Sequence, residues 1–305
     1  MRVLITGASG LIGSSVADAL LARADEVVGL SRSPERARET NPKVTWHRWE
    51  ATRERPPGAA LEGVDAVVNL VGEPLTQRWT DEVKKRLRAS RIRATRNLVE
   101  GMITAGRPPN VLVSGSAVGY YGDTGDAIVD ESGGAGAGFD AVLCVDWEAA
   151  AREVESADVR LVVLRTGLVL ERTSGLLKEM LPAFKLGLGG PLAGGGQFMP
   201  WIHIDDVVGL ILWALDNDDV SGVFNATGPE PVTNSEFSKA LGRAVGRPAF
   251  LPVPKLAVRL RYGGELSDVT AGGTRAVPRR ATDLGYRFRY SEVGEALEAA
   301  LSSNP

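Results

Sequence analysis

Val3 to Gly13 reads V-L-I-T-G-A-S-G-L-I-G, and no other stretch constrains the fold of this chain as strongly. An apolar run stands directly before glycines at 7, 10 and 13, and Leu11, Ile12, Val16, Ala19 and Leu20 then share one stripe of a 3.6-residue period. The order predicts strand, tight turn and helix. Each glycine has its own reason: Gly7 takes the turn, Gly10 lets a pyrophosphate approach the backbone without meeting a Cβ, and Gly13 lets the helix pack closely on the strand. The helix N-terminus then faces the phosphates with unpaired N–H groups and a partial positive charge. A dinucleotide is the expected guest; a tight turn in an ordinary α/β protein is the alternative.

The 305 residues, 44% of them hydrophobic, suffice for one large core or for a core with a smaller appendage. The 35 basic and 38 acidic residues are interspersed and leave a net charge of -3, so no field of one sign invites nucleic acid or an anionic membrane. No apolar run approaches the roughly 20 residues that span a bilayer, and the N-terminus runs into a strand without a signal-peptide pattern, so a cytoplasmic protein is expected. Cys144 alone cannot form an intrachain disulfide, and His47 and His203 lie too far apart in sequence to suggest a local metal site; no metal is expected.

Further strands are predicted at 26–30, 44–49, 65–70, 110–114 and 160–165, with helices between them. Six strands alternating with helices in the first 170 residues argue for an α/β fold, a doubly wound parallel (Rossmann) sheet. The second strand ends in Ser31-Arg32-Ser33, where an NAD-binding fold usually carries a carboxylate for the ribose 2′-hydroxyl. The Arg32 guanidinium with the Ser31 hydroxyl suits a 2′-phosphate better, which points to NADP (NADPH), an exposed polar loop being the alternative. Asn69-Leu70-Val71-Gly72 is the end of the fourth strand opening into a small-residue turn, and Leu70, Val71 and Gly72 are expected to face the cofactor crevice. From a Thr80 cap, one amphipathic helix is expected to run to about Ala105, with Lys84, Lys85, Arg86 and Arg88 on its solvated face. Beyond residue 170 the chain changes character. A glycine-rich loop at 187–196 is placed to line or cover a ligand, Asp205 or Asp206 can cap a helix running to Leu215, and 223–226 is strand-like. Residues 1–170 are expected to form the nucleotide-binding core, with about 200–228 returning to it. Residues 171–305 are expected to form a smaller α+β substrate-side and C-terminal region.

T-G-A-S-G-L-I-G at 6–13, S-G-S-A at 114–117, Y-G at 121–122, L-R-T-G-L-V-L at 164–170 and W-I-H-I-D-D at 201–206 occur in the order and spacing of one family. Over nearly its whole length the chain resembles the extended short-chain dehydrogenase/reductase superfamily, which includes nucleotide-sugar epimerases and dehydratases. S-R-I-R-A-T at 90–95, G-Y-Y-G at 119–122, the W-E pair at 147–148, G-L-G-G at 187–190 and G-G-T-R-A-V-P-R-R at 272–280 are similar to its atypical "epimerase family protein" subgroup, which has a short C-terminal domain. The resemblance implies cofactor contacts at Thr6, Gly7, Ser9, Gly10, Leu11, Ile12, Gly13, Ser31, Arg32, Leu70, Val71, Gly72, Arg91, Ser114, Thr166, Gly167 and Leu168. It also implies a Tyr-x-x-x-Lys pair, whose ammonium lowers the tyrosine pKa for proton transfer while hydride passes to NAD(P).

That pair is missing. Aligned on Glu148, the lysine position is Cys144 and the tyrosine position Asp140. Ser116 matches the family's catalytic serine. Tyr120 or Tyr121 can point into the site, or both can be packed aromatics with satisfied hydroxyls. Arg91 falls where the superfamily carries an asparagine, which points to an anionic substrate or the cofactor, a helix-surface arginine being the alternative; Lys84 is a weaker candidate for the same role. His203, flanked by Ile202 and Ile204, reads as a hydrogen-bonded structural residue sooner than as a base. Two functions fit these residues. One is an NADP(H)-dependent oxidoreductase or epimerase, an isomerase-like enzyme, acting on an unidentified small molecule through Ser116, Tyr120 or Tyr121, Asp140 and Arg91. The other is an NADPH-binding sensor or scaffold without turnover. A homodimer stays open for either.

Overall fold

The computed structural model describes residues 1–302. Seven strands form one parallel sheet: β1 (Arg2–Thr6), β2 (Glu26–Ser31), β3 (Thr45–Arg48), β4 (Ala66–Asn69), β5 (Val111–Ala117), β6 (Arg160–Thr166) and β7 (Gly222–Ala226), in the order β7-β6-β5-β4-β1-β2-β3. β5 runs three residues past its expected end, which puts Ser116 inside the strand. The strands are apolar on both faces because helices cover both. Val3 and Ile5 point to one layer and Leu4 to the other, and this period of two repeats across β2, β4, β5 and β6.

On the first face lie α1 (Leu11–Ala22) and α6 (Ile204–Asp216). The buried stripe of α1 is Gly13, Val16, Ala17 and Leu20, while Leu11 and Ile12, at its N-terminal end, are only half-buried. On the second face lie α3 (Ala94–Ile103), through Leu98, Val99 and Met102, and the end of α4 (Phe139–Arg152). The expected single helix 80–105 is three pieces in continuous succession: α2 (Asp81–Arg88), capped by Thr80 through a Val83 N–H bond of 3.3 Å, a π-helical turn over Ala89–Arg93, and α3. A π turn holds one more residue than an α turn and so rotates α3 relative to α2. Lys84 does not merely face solvent: it donates to Glu265 at 2.7 Å and lies over the Phe139 ring.

A second core gathers α5 (Gly175–Lys185), α7 (Asn234–Ala244) and α8 (Val293–Ser302) around Trp201, Phe237, Leu241 and Leu297. α7 starts with a capping box between Thr233 and Glu236. The helix α6 is capped by neither aspartate: His203 occupies the cap, its Nδ1 accepting the Asp205 N–H at 3.1 Å. Asp206 instead accepts the N–H groups of Arg289 and Tyr290 at 2.7 and 3.1 Å and ties the C-terminal segment to α6. The G-G-T-R-A-V-P-R-R stretch also has a structural role. Arg275–Ala276 pairs with Ile128–Val129, Thr274 donates to the Gly122 carbonyl at 2.7 Å, and Arg280 donates to Val223 and Ser221 carbonyls on the β7 edge. The glycine-rich 187–196 loop is stitched to 251–253 by backbone bonds. No helix among the described residues is long and apolar enough to cross a membrane.

Candidate functional site

β1 and β4 are neighbours in the sheet, and the strands are added in opposite directions from that point, which leaves a crevice at their carboxyl ends. Gly7 turns the chain there with φ of 69°, and a Cβ on it would lie 2.8 Å from the Leu70 carbonyl oxygen. A Cβ on Gly13 would overlap the Gly7 carbonyl, so α1 can approach β1 only as it does. Gly10 differs from both: it is exposed, donates to the Gly7 carbonyl at 2.9 Å, and a Cβ on it would meet only that oxygen, at 3.2 Å. No side chain caps α1 and no acid occupies its first turn, so the Leu11, Ile12 and Gly13 N–H end carries an undiluted positive dipole beside exposed Ser9. These features fit the phosphates of a dinucleotide.

Two residues assigned to the cofactor stand behind this cradle. Thr6 is wholly buried; its hydroxyl donates to Asn69 Oδ1 at 2.8 Å and accepts the Leu70 and Val71 N–H groups at 3.1 and 3.2 Å. Ser114 is wholly buried too and accepts from Asn69 Nδ2 at 3.2 Å, while Thr95 takes the other Asn69 bond and one from Trp147. Their hydroxyls fix the crevice wall, and burial keeps them from offering a group to a ligand. Gly72 is exposed beyond that wall. At the end of β2, the Ser31 hydroxyl accepts the Ser33 N–H at 3.1 Å and the Arg32 side chain stands exposed. Thr166, Gly167 and Leu168 lie where the chain leaves β6, the Gly167 N–H donating to Ala226 and the Leu168 N–H to Pro200.

At the carboxyl end of β5, Ser116 donates to Glu148 Oε1 at 2.7 Å. Arg165 grips the same carboxylate with two bonds, 2.8 and 2.9 Å, and donates to the Tyr121 hydroxyl at 3.0 Å, which in turn donates to Asn225 at 2.7 Å. All five side chains are buried. Burial alone lowers the pKa of Arg165, but Glu148 and Tyr121 outweigh it and hold the guanidinium above its usual value. Burial raises the Tyr121 hydroxyl against the pull of Arg165. Tyr121 is therefore the packed, satisfied aromatic of the two alternatives, and Tyr120 stacks its half-buried ring on the Arg165 guanidinium, 3.3 Å from the ring centroid.

Asp140 and Cys144 lie one turn apart on α4 and face this end of β5. Burial raises the Asp140 carboxyl against its bonds from the Asp140 and Ala141 N–H groups, and Gly119 leaves room for it: a Cβ there would be 3.3 Å from Oδ2. Burial and then Glu148 push the Cys144 thiol up to about 12, so it supplies neither charge nor nucleophile at neutral pH. Arg91 points inward from the π turn, only 8% exposed, its Cζ 5.3 Å from the Trp147 ring. His203 is buried with Nε2 unpartnered and its pKa lowered by burial, as a structural cap.

Sequence reasoning missed Arg165 and Asn225 altogether and used Glu148 only as an alignment mark. One signal was available: an arginine at the end of the apolar strand R-L-V-V-L-R-T needs a buried partner, and the lone acid in L-C-V-D-W-E-A-A's apolar face supplies it. A concavity of about 490 Å³, lined by Pro56, Leu61, Gly101 and Thr104, opens at the opposite edge, before β4 and β5 begin, and holds none of these groups.

Residues 3–227 match the NAD dependent epimerase/dehydratase family, and residues 253–300 match a domain of unknown function, DUF1731. The chain is 43% identical over 296 residues to the epimerase family protein Mb2239 of Mycobacterium bovis, covering 97% of this chain and 96% of that one. The crystal structure of the human epimerase family protein SDR39U1 (isoform 2) with NADPH superposes with a TM-score of 0.90 at 36% identity, over 99% of this chain and 100% of that one. UDP-glucuronic acid 4-epimerase of Bacillus cereus, solved with UDP-glucuronic acid and NAD, shares the fold at a TM-score of 0.78 and 19% identity, over 98% of each chain.

Proposed function

The chain belongs to the NAD dependent epimerase/dehydratase family, and from that premise we propose that it binds NADP(H) in the switch-point crevice and acts on a small molecule as an oxidoreductase or epimerase-like isomerase. The observation that carries this reading is the buried Ser116–Glu148–Arg165 array, which ends at the carboxyl edge of the sheet beside a cradle kept open by glycine. The human relative's structure with NADPH supports the choice of cofactor. When bound, the cofactor supplies or accepts hydride at its nicotinamide ring.

The chain's own residues divide the remaining work. Gly10 and the uncapped first turn of α1 hold the pyrophosphate, and Ser31 and Arg32 hold the 2′-phosphate. Ser116 donates its hydroxyl hydrogen bond to the Glu148 carboxylate, so toward the substrate it presents lone pairs and orients a hydroxyl donor. The Tyr121 hydroxyl is engaged on both sides and cannot serve as the base. Asp140, its carboxyl raised by burial, is the proton carrier closest to that role, with Tyr120 packing the approach. The chain from residue 171 to residue 302 closes the substrate side. The reading places the protein in the cytoplasm, with no nucleic-acid or membrane partner.

The alternative, an NADPH-binding sensor or scaffold, is favoured by one observation: position 144 offers a neutral thiol where a lysine is needed. NADPH absorbance followed across a panel of carbonyl compounds and nucleotide sugars separates the two. Turnover with one class, reduced about a hundredfold or more in Ser116→Ala and in Asp140→Asn, is expected for the enzyme. Tight NADPH binding with no turnover on any compound would establish the sensor reading instead.

A further inference from the structure

Arg91 is a buried cation without a counter-ion. No acceptor lies within reach of its Nη1, and among the described residues it forms no ion pair. Glu73, a carboxylate close enough to influence it, lies 3.6 Å from Arg86. A guanidinium cannot shed its proton to escape such a position, so the arrangement persists only if something else meets it. Its neighbours say where. A Cβ on Gly72, at the carboxyl end of β4, would lie 3.1 Å from Cζ and 3.4 Å from Nη1; Cζ also lies over the Trp147 ring, and Cys144 is close enough to influence it.

The crevice has two flanks. The glycine turn and the Ser31-Arg32 end of β2 lie on one, and Ser116, Cys144 and Arg91 lie on the other, beyond β4. A dinucleotide with its pyrophosphate at Gly10 must place its adenosine half toward β2 and its reactive half toward β5. The geometry points to Arg91 as the residue that anchors the nicotinamide half of NADP(H), restoring from the π turn the positive charge that Cys144 cannot supply. This rests on the NADPH reading above. The contact is a charge-assisted hydrogen bond from a planar fork held in place by Trp147 and admitted only because residue 72 has no side chain.

Calorimetric titration of the full chain with NADPH and with 2′,5′-ADP, which carries the 2′-phosphate but lacks the nicotinamide half, tests it. Arg91→Gln is expected to weaken NADPH by about ten- to a hundredfold and to leave 2′,5′-ADP within about twofold. Arg91→Lys should recover part of the NADPH loss. Gly72→Ala, which presses on the guanidinium without removing it, should give the same split and covers the case in which Arg91→Gln folds poorly. Equal losses for both ligands, or no loss for either, would overturn the assignment. If the unaltered chain binds neither ligand, the cofactor reading itself falls, an outcome distinct from the failure of Arg91.

Discussion

Glu148 and Arg165 are 4% and 3% exposed, and neither can find water if the other is removed. Glu148→Gln keeps the shape of the side chain but leaves the guanidinium with a neutral partner, and is expected to destabilise the chain by about 3–5 kcal/mol. The double variant Glu148→Leu with Arg165→Met removes both charges and should cost much less, since two apolar groups need no counter-ion. Denaturant midpoints of the ligand-free chain check both; an unchanged midpoint in Glu148→Gln would mean that the pair does not stabilise the fold. At this scale the sequence was legible where a motif carried the residue, as with Ser116, and silent where the meaning lay in a partner. Residue 148 meets 165 because α4 crosses β5 and β6, and Tyr121 meets Asn225 across 104 positions. That Ser116 is a donor to Glu148, and so an acceptor toward a ligand, depends on those meetings and on no local pattern.

The strand–turn–helix unit could be read because its three glycines answer three separate steric demands, and the same demands make separable predictions. Gly10→Ala adds a methyl that meets only the Gly7 oxygen, at 3.2 Å, so the ligand-free fold should melt almost unchanged while NADPH binding falls. Gly13→Ala sets the methyl against the Gly7 carbonyl and must push α1 off β1, with an expected loss of about 1–3 kcal/mol as well as of binding. Melting curves with and without NADPH distinguish the two, and equal behaviour would remove the division of roles. The π turn left a subtler trace. Val83, Leu87, Arg91, Thr95 and Val99 are all buried at steps of four. A straight α-helix would carry such a row around to its wet face; one wider turn holds it against the sheet and brings Arg91 inward with it. Binary patterning carries no sign of a wider turn, which is why one continuous amphipathic helix was expected. Strands of two or three residues such as Ile128–Val129 and Phe198–Met199 have too little sequence to show a period at all.

Across the whole molecule, the parallel order of the sheet could be inferred from alternation of strands and helices, whereas the closure of the C-terminal segment could not. It depends on contacts such as Lys84 with Glu265 and Asp206 with the backbone at 289–290, whose partners lie 181 and more than 80 residues apart. Because the crevice lies at the centre of the sheet, a ligand bound there is linked to unfolding of the entire nucleotide-binding core, and melting temperature reports its affinity. A ligand at a hundred times its Kd adds about 2.7 kcal/mol, which in a chain of this size is a shift of several degrees. Arg32 is exposed at the end of β2, so its guanidinium is free to meet a 2′-phosphate and has nothing to offer a bare 2′-hydroxyl that Ser31 does not. At equal concentration NADPH should therefore raise the melting temperature well beyond NADH. Arg32→Ala should bring the NADPH shift down to the NADH shift and leave the NADH shift and the ligand-free melting temperature nearly unchanged. Equal shifts for the two cofactors in the unaltered chain would remove the basis for NADP selectivity at β2, and equal loss of both in Arg32→Ala would make that residue structural.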